Sequence, residues 1–477
     1  MNKQPFFITT PIYYVNDAPH IGSAYPTLVA DVLARFKRSQ GFRVHFSTGT
    51  DEHGLKIFQA ATQAGKEVQT FADEIAGQFK EAWQKLNISF DDFIRTTEPR
   101  HEKVVLHVIE QLKDSGFLYQ GVYKGLYCVR CETFWDESEL VNGLCPYHGI
   151  KLELLEEKNW FFKVSAFRDK LATVIEQGEI EILPAGKKAE TLGLLKIWTS
   201  DVSISREREH VSWGIPLPFD KEQTIYVWVD ALINYLTTIK YPDKKYEQYW
   251  PTITHIIGKD ILKHHAVIWP AILLAIGVKP PKRIFAHSFF TVEGQKMSKS
   301  LGNVITPLQL IEKFGVDGAR YVLLAEISGD KDSDISWQKF QARYDADLKH
   351  NIGNIFSRLV VLAQKNDIRE LGIASNESGI ENYKKAFGED IEQIQIAQAI
   401  KTAQGIFEKI NKYLDQTKPW QEKDFKKLKQ ILETALTNFI QGIELLEPII
   451  PQTAAQVLAI KKGDRLVVPK KNIHLFS

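Results

Sequence analysis

The segment Ala18-Pro19-His20-Ile21-Gly22-Ser23 lies between two sequence patterns that decide the fold of this chain. Before it, residues 6–10 form a short apolar run that predicts a buried strand. After it, apolar residues recur at steps of three and four and so mark one face of a helix: Tyr25, Leu28, Val29, Val32, Leu33 and Phe36. Residues 43–47 then predict a second strand, and this strand–helix–strand order begins a parallel sheet flanked by helices.

The rest of the chain divides by pattern into the remainder of that sheet and a helical part. The alternation of strands and helices stops near residue 115, and a stretch rich in Gly, Tyr and Cys follows, which indicates an inserted domain. Strands are predicted to resume the sheet at residues 224–229, 255–257 and 283–285, and from residue 345 the pattern is helical. We therefore expect an α/β protein with a doubly wound, Rossmann-type parallel sheet, split by a zinc-binding insertion and followed by an all-α helical bundle. The predicted ranges are the first half of the sheet at 1–114, the insertion at 115–222, the second half at 223–325, a linker at 326–344, and the helical domain with its C-terminal tail at 345–477.

The composition is typical of a soluble protein with several domains. At 477 residues the chain exceeds what one hydrophobic core organises, and no apolar run approaches the roughly 20 residues that span a bilayer. The 60 basic and 59 acidic residues nearly cancel, so net charge gives no argument for nucleic-acid binding. No secretory signal is recognisable, and three cysteines are too few for a disulfide framework, so we expect a reducing, cytoplasmic location. Because the sequence ends near the helical domain, we expect a monomer.

Two motifs have the chemistry of phosphate binding. His20 and the backbone amides beside it lie at a predicted helix N-terminus, which favours anions. The second motif is Gly294-Gln295-Lys296-Met297-Ser298-Lys299-Ser300-Leu301-Gly302-Asn303, where two lysines and two serines between glycines suit a loop that clasps phosphates. Taken alone, the first motif is also compatible with an ordinary loop histidine, and the second with a solvated basic loop.

The cysteines predict a metal site. Cys128, Cys131, Cys145 and His148 are spaced C-x2-C-x13-C-x2-H, and two tight pairs separated by a loop are typical of a tetrahedral zinc site. Four protein ligands close the coordination sphere, so we expect one structural Zn²⁺. The alternative is three reduced structural cysteines.

The two phosphate motifs together resemble the signatures of class I aminoacyl-tRNA synthetases. Further segments are similar to the methionyl branch of that class: Thr9-Thr10-Pro11-Ile12-Tyr13-Tyr14-Val15-Asn16, Thr48-Gly49-Thr50-Asp51-Glu52-His53-Gly54, Trp213-Gly214-Ile215-Pro216 and Tyr226-Val227-Trp228-Val229-Asp230-Ala231. The resemblance runs from residue 5 to beyond residue 420. It departs at Ser23, where the family usually has a second histidine, and a serine can donate one hydrogen bond to phosphate but carries no charge.

The resemblance implies a methionine pocket in which Asp51 binds the substrate ammonium. Some of the pocket positions also share one face of a predicted helix by their spacing. The alternative explanation for that spacing is ordinary core packing. The positions that match the family's pocket are Ile12, Tyr14, Asp51, Trp228, Ala231, Leu232, Tyr235, His265 and Trp269.

The resemblance also implies ATP contacts and an anticodon site. Gly258 and Asp260 match the ribose site and His287 lies near the adenine position, although an Asp in such a place can be a buried or capping residue. The phosphates would be met by His20, Ser23 and Lys299. For the anticodon, Asn354 and Arg358 match positions that read base edges, and Trp420 matches one that stacks on an unstacked base. The alternative for Trp420 is an ordinary core residue.

The implied reaction is ATP-dependent joining of methionine to tRNA(Met), including the initiator tRNA. Methionine would attack Mg²⁺-bound ATP to give methionyl-adenylate, and the methionyl group would then pass to the 3′ end of the tRNA, with His20, Lys296 and Lys299 as the catalytic residues. One rival is the cysteine enzyme of the same class, which places zinc against its substrate, whereas here the Cys/His motif is distant along the chain from the pocket positions. The other rival is an inactive RNA-binding paralogue.

Overall fold

The strands and helices of the chain are described by a computed structural model for residues 3–128, 133–135, 137–297, 302–374, 380–471 and 474–476. The chain divides into two units. Unit 1 comprises Met1–Pro19, Lys37–Glu81 and Ser89–His287, and unit 2 comprises His20–Phe36, Ala82–Ile88 and Ser288–Ser477. Within the described residues, every helix is too short or too polar to traverse a lipid bilayer.

The strands are mostly short. In chain order they are β1 Pro5–Tyr14, β2 Arg43–Asp51, β3 Asp92–Arg95, β4 Leu118–Cys128, β5 Thr133–Trp135, β6 Glu153–Phe162, β7 Glu181–Leu183, β8 Val202–Ser203, β9 Ser205–Glu207, β10 Pro216–Leu217, β11 Asp220–Ile225, β12 Thr254–Gly258, β13 Arg283–His287, β14 Phe290–Val292, β15 Ser333–Ile335, β16 Glu370–Gly372, β17 Lys461–Lys462 and β18 Arg465–Val467.

The helices are concentrated at the start and in the last third of the chain. In chain order they are α1 Ile21–Ser39, α2 Leu55–Gln63, α3 Val68–Lys85, α4 Pro99–Asp114, α5 Arg168–Glu176, α6 Ala185–Ile197, α7 Val227–Thr237, α8 Trp269–Ala275, α9 Pro307–Glu326, α10 Trp337–Arg343, α11 Asn354–Lys365, α12 Ile380–Glu392, α13 Ile396–Thr417, α14 Phe425–Leu446 and α15 Pro451–Leu458. Two π-helical turns, His264–Ile268 and Tyr344–Gly353, precede α8 and α11.

A parallel sheet organises unit 1 and confirms the predicted fold class. Its strand order is β3-β2-β1-β12-β13-β7, and all the pairings are parallel. The strand β12 is buried throughout, β13 at all but its first residue and β1 at residues 6–10, as expected for a parallel sheet covered on both faces. Because parallel strands point the same way, the carboxyl ends of β1, β2, β12 and β13 meet at one edge of the sheet.

The prediction of a sheet strand at residues 224–229 is wrong. The strand β11 ends at Ile225, the helix α7 begins at Val227, and β11 pairs antiparallel with β9 and β10 in a separate sheet. An apolar run that crosses a junction between a strand and a buried helix has the same periodicity as one continuous buried strand. The six-stranded sheet instead takes its edge strand, β7, from within the range 115–222.

The other strands of residues 115–222 and the whole of unit 2 lie outside the parallel sheet. The strands β5, β4, β6 and β8 form an antiparallel sheet in which β4 and β6 pair along ten residues. Unit 2 is helical, as predicted for its C-terminal part, and α13 and α14 are its longest described helices with 22 residues each. It also contains the short antiparallel sheet β16-β18-β17, through which the C-terminal segment pairs with the residues after α11.

A buried arginine holds several segments of unit 2 together. The Arg320 side chain is fully buried, and its Nη2 lies 2.7 Å from Asp31 Oδ2. Its other hydrogen bonds go to backbone carbonyl oxygens, at 2.8 Å to Pro448, 2.8 Å to Ile449 and 3.1 Å to Leu86. One guanidinium therefore satisfies a buried carboxylate on α1 and three carbonyl groups from two other segments, Leu86 and the adjacent pair Pro448 and Ile449.

We predict that Arg320→Met lowers the free energy of unfolding by about 3 to 5 kcal/mol, because it leaves Asp31 without that charged partner in the interior. Chemical denaturation measures the change. The matched control is Arg465→Met, which removes a surface pair with Glu370 whose side chains are 64% and 53% exposed, and this change should cost about 1 kcal/mol or less. Equal losses for the two variants would contradict the structural role of Arg320.

Candidate active site

The turn between β1 and α1 places His20 over a glycine. His20 Nδ1 accepts a hydrogen bond from the Gly22 backbone amide at 3.0 Å. A Cβ added at Gly22 would lie 2.6 Å from His20 Cε1 and 2.8 Å from Nδ1, which is closer than atoms tolerate. The pattern His-x-Gly is thus a steric requirement: the ring folds back over position 22, and any side chain there would displace it.

Within unit 2, the start of the lysine-rich loop lies beside this turn. The Ile21 amide donates to the Ile305 carbonyl at 3.0 Å, and Met297 Cε lies 3.5 Å from the position of a Cβ on Gly22. Lys296 is exposed, and Asn303 Nδ2 donates to the Lys296 carbonyl at 3.2 Å. Lys299, the other predicted catalytic lysine, lies outside the described residues.

Ser23 uses its hydroxyl to shape the same turn. Its Oγ donates to the His20 carbonyl at 2.8 Å, and the side chain is buried. A hydroxyl has one proton to donate. In this conformation the proton of Ser23 is therefore engaged with the backbone, so a contact from Ser23 to phosphate requires that bond to be exchanged.

The positions predicted to bind the nucleoside meet at the carboxyl ends of β12 and β13. Gly258 and His287 are paired across these strands. A Cβ on Gly258 would lie 2.5 Å from Asp260 Oδ1 and 3.7 Å from His287 Cε1, so the absence of a side chain at 258 makes room for both neighbours. Asp260 is exposed and His287 is buried, an arrangement that offers one accessible carboxylate beside a fixed imidazole.

The predicted pocket residues of α7 and the residues around them form an aromatic cluster in unit 1. Ala231, Leu232 and Tyr235 are buried on α7, and Trp228 is half-buried. The rings pack edge to face or tilted, with centroid distances of 6.1 Å for Tyr14 and Trp228, 5.7 Å for Tyr235 and His265, and 6.1 Å for Tyr235 and Trp269. Such a cluster suits an apolar ligand and makes favourable contacts with a thioether sulfur.

The hydrogen bonds of His265 fix its tautomer. Its Nδ1 lies 3.0 Å from the Ile261 carbonyl, which can only accept, so Nδ1 carries a proton. Burial lowers the pKa of His265 to about 4, so the ring is neutral and Nε2 has a lone pair. Tyr235 Oη lies 2.7 Å from Nε2 and donates its proton to it. The polar groups of the cluster are thus uncharged.

The predicted ammonium ligand lies at the end of β2. Asp51 is paired with Tyr14 across β1 and β2, next to a register shift in β1 between Thr9 and Ile12, and such shifts redirect side chains near functional sites. Asp51 is buried, and its negative charge adds to burial in raising the pKa of Tyr235. Tyr14, the strand partner of Asp51, packs its ring against Trp228 of α7, so Asp51 lies one residue pair away from the α7 cluster.

Sequence reasoning missed several polar residues of this region. The ring of His264 stacks on Trp228 with centroids 4.1 Å apart and planes 19° apart, and burial lowers its pKa well below the ordinary value. His264 and His265 are adjacent and yet both reach α7, which is possible because they lie in the π-helical turn. Asp230, on the first turn of α7, binds His53 and His101. The adjacent histidines at positions 264 and 265 were the sequence signal that could have indicated the contact of His264 with Trp228.

The metal motif is assembled in the described residues. Cys145 Sγ and Cys128 Sγ lie 3.6 Å and 4.0 Å from His148 Nδ1, and the three ligand atoms lie within 4.8 Å of one another. Ligand atoms on one tetrahedral zinc are about 3.5 to 3.8 Å apart, so the 3.6 Å pair has this spacing and the other two separations exceed it by about 1 Å or less. Cys131, the fourth predicted ligand, lies outside the described residues.

The three predicted anticodon residues lie in unit 2. Asn354 begins α11 and is exposed, and Arg358 lies one turn further along the same helix. The Arg358 guanidinium lies 5.3 Å from the ring centre of Trp420. Trp420 is 48% exposed and lies in the 3₁₀ turn Pro419–Gln421 between α13 and α14, which is unlike a core residue.

Comparisons with known proteins identify the family of the chain. The family model described as tRNA synthetases class I (M) matches residues 6–153 and 148–360. The methionine–tRNA ligase of Thermotoga maritima is 40% identical over 95% of this chain and 74% of its own length, and that of Rickettsia felis is 40% identical over 97% and 94%. The chain belongs to the methionine–tRNA ligase family. Among solved structures, the Mycobacterium tuberculosis methionyl-tRNA synthetase in complex with methionyl-adenylate is similar to this family member with a TM-score of 0.93 and 33% identity, over 99% of both chains.

We predict that Gly22→Ala lowers methionine-dependent exchange of pyrophosphate into ATP by roughly 100-fold or more, because the new Cβ displaces His20, a proposed phosphate donor. The melting temperature should stay the same or rise, since Ala favours a helix over Gly. The control is Gly77→Ala in α3, where a Cβ meets open space and exchange should be unchanged. Full activity of Gly22→Ala would show that the ring position seen here is not the active one.

Proposed function

We propose that this aminoacyl-tRNA ligase activates L-methionine with ATP and transfers it to the 3′ end of tRNA(Met), including the initiator tRNA. The observation that supports this most is the aromatic cluster of α7 with its neutral Tyr235–His265 pair, which packs against Tyr14, the strand partner of Asp51. A site for free methionine needs an apolar, polarisable cavity for the thioether and one negative charge for the ammonium.

The reaction needs no protein nucleophile. A methionine carboxylate oxygen attacks the α-phosphorus of ATP, a P–O bond forms, and the bond to pyrophosphate breaks. A ribose hydroxyl of the terminal tRNA adenosine then attacks the acyl carbon, loses its proton, and releases AMP. Mg²⁺ arrives bound to ATP and neutralises phosphate charge. The chain supplies positioning and hydrogen bonds: His20, Lys296 and Lys299 for the phosphates, and Gly258, Asp260 and His287 for the nucleoside.

Pyrophosphate exchange tests the amino-acid assignment directly. Purified protein should exchange pyrophosphate into ATP with methionine and far more slowly with cysteine, leucine or isoleucine, and it should charge tRNA(Met). Faster exchange with cysteine would favour the related cysteine enzyme, and no exchange with any amino acid would favour an inactive RNA-binding paralogue. The monomeric state, the cytoplasmic location and the five predicted domain ranges remain predictions.

The Cys/His cluster is proposed to hold one structural Zn²⁺. The spacing of Cys128, Cys145 and His148 supports it, and Cys131 is the proposed fourth ligand. When bound, zinc would fix the fold of this segment and would leave no open position for substrate.

Freshly isolated protein should contain about one zinc per chain, and Cys145→Ser should lose most of it and unfold at lower temperature, because metal binding is coupled to folding. Elemental analysis and a melting curve measure both effects. Tyr147→Phe changes a neighbouring residue that is not a proposed ligand and should keep its zinc. Zinc-free wild-type protein would refute this site.

The anticodon of the tRNA is proposed to bind at Asn354, Arg358 and Trp420. An exposed Trp beside a guanidinium is suited to stacking on an unpaired base, and the exposure of Trp420 speaks against the core alternative.

Trp420→Ala should separate the two half-reactions. Losing one stacking platform costs about 1 to 3 kcal/mol, so the efficiency of tRNA charging should fall roughly five- to 100-fold while pyrophosphate exchange stays unchanged. The melting temperature should fall little, because the side chain is half exposed. Val467→Ala, which truncates another partly exposed apolar residue of unit 2, should leave both reactions intact. Parallel losses of both reactions together with a large drop in melting temperature would favour the core alternative.

A further inference from the structure

A buried carboxylate bound by two histidines lies next to the predicted methionine pocket and has no role in the reaction described above. His53 Nδ1 lies 2.7 Å from Asp230 Oδ2, and His101 Nε2 lies 2.8 Å from Asp230 Oδ1. The side chains of His53, His101 and Asp230 are 7%, 0% and 1% exposed. All three belong to unit 1.

The carboxylate of Asp230 is ionised despite its burial. Burial by itself disfavours the charge on Asp230, but the two histidines outweigh it and lower the pKa of Asp230 to about 2. Burial likewise disfavours a charge on His53, but Asp230, with smaller contributions from Glu102 and Glu52, raises the pKa of His53 above its ordinary value. Each carboxylate oxygen of Asp230 therefore accepts one charge-assisted N–H bond, and loss of either donor leaves a buried charge undersatisfied.

The network joins two elements that carry proposed methionine ligands. His53 lies two residues after Asp51, in the loop between β2 and α2, and Asp230 lies on α7 between the pocket residues Trp228 and Ala231. His101 lies on α4 and holds Asp230 from another side. The bond from His53 to Asp230 thus connects the Asp51 loop directly to the pocket helix.

Other contacts fix the remainder of the Asp51 loop but do not reach α7. Arg95 binds both carboxylate oxygens of Glu52, at 2.7 Å and 2.8 Å. Trp213 Nε1 donates to the Glu52 carbonyl at 2.5 Å, and the Gly54 amide donates to the Trp213 carbonyl at 2.9 Å. Of the hydrogen bonds just named for residues 52–54, the one made by His53 reaches the pocket helix and so links this loop to α7.

We propose that His53 and Asp230, supported by His101, are positioning residues for methionine, which hold the ammonium ligand Asp51 at a fixed distance from the side-chain pocket on α7. This inference rests on the proposed function, in which Asp51 binds the ammonium of methionine and the α7 pocket binds its side chain. One small ligand is held at both ends, and a displacement of about 1 Å between the ends can cost about 100-fold in reaction rate.

Paired Asn and Gln substitutions at each histidine distinguish the position of the N–H donor from the size of the side chain. Asn places an amide N–H where His has Nδ1, and Gln places one near Nε2. His53→Asn should therefore keep the bond to Asp230, whereas His53→Gln and His53→Leu should lose it. At His101 the pattern reverses, since Nε2 is the atom used: His101→Gln should keep the bond and His101→Asn should lose it. Pyrophosphate exchange with active-site titration gives KM for methionine and for ATP on the folded fraction.

For His53→Leu and His53→Gln we expect KM for methionine to rise tenfold or more, while KM for ATP stays within about twofold of wild type. For His53→Asn we expect KM for methionine to stay within about threefold of wild type. His210→Leu is the matched control, because it removes a histidine–carboxylate contact of unit 1 with Glu157 at 2.9 Å, and both KM values should be unchanged. A purely structural role would lower the active fraction and the melting temperature and leave both KM values in place.

Unchanged KM for methionine in His53→Gln, an equal rise of both KM values, or equal effects of Asn and Gln at position 53 would overturn the proposal. If His53→Leu does not fold, the Asn and Gln pair decides alone. Wild-type protein without methionine-dependent exchange would overturn the proposed function and this inference together, whereas active wild-type protein with an unaffected His53→Gln overturns the inference alone.

Discussion

Parallel pairing of the central strands of the sheet is the constraint on which the rest of unit 1 depends. It brings together residues from distant parts of the chain: Tyr14 is paired with Asp51 across β1 and β2, and Gly258 with His287 across β12 and β13. A slip of one residue in either pairing would turn the side chains to the opposite face of the sheet. The buried apolar residues of β1, β12 and β13 resist such a slip, so packing of the core also sets the geometry of the site.

The proposed methionine pocket on this edge has polar groups but few charges. Burial lowers the pKa of His264 and His265, so these rings are neutral near pH 7 and add uncharged aromatic surface to the cluster. The ionised group proposed to touch the ligand is Asp51. An apolar cavity distinguishes side chains that differ by one methylene by only about 1 to 3 kcal/mol, so discrimination depends on how accurately the charged end and the side-chain end are spaced. The histidine–aspartate network is proposed to set this spacing.

Much of this arrangement could be predicted from the sequence, and the failures have physical causes. The strands β1, β2, β12 and β13 were predictable because short buried runs bounded by turns have a clear pattern, and the residues of the two phosphate motifs and the metal motif were found by local spacing. The strand expected at 224–229 was wrong because the apolar run continues through Tyr226 from a strand into a buried helix. The partners of Asp230 are 177 and 129 positions away, at His53 and His101, so no local spacing could reveal them.

We propose that methionyl-adenylate forms where the carboxyl ends of the parallel strands meet. Hydrogen–deuterium exchange with and without a non-hydrolysable methionyl-adenylate analogue tests it most directly. We expect slower exchange, on binding, in the peptides that contain the end of β1, residues 51–54, the first turns of α7 and the end of β12. Protection confined to other segments, or protection of the same size with a leucyl-adenylate analogue, would contradict the account.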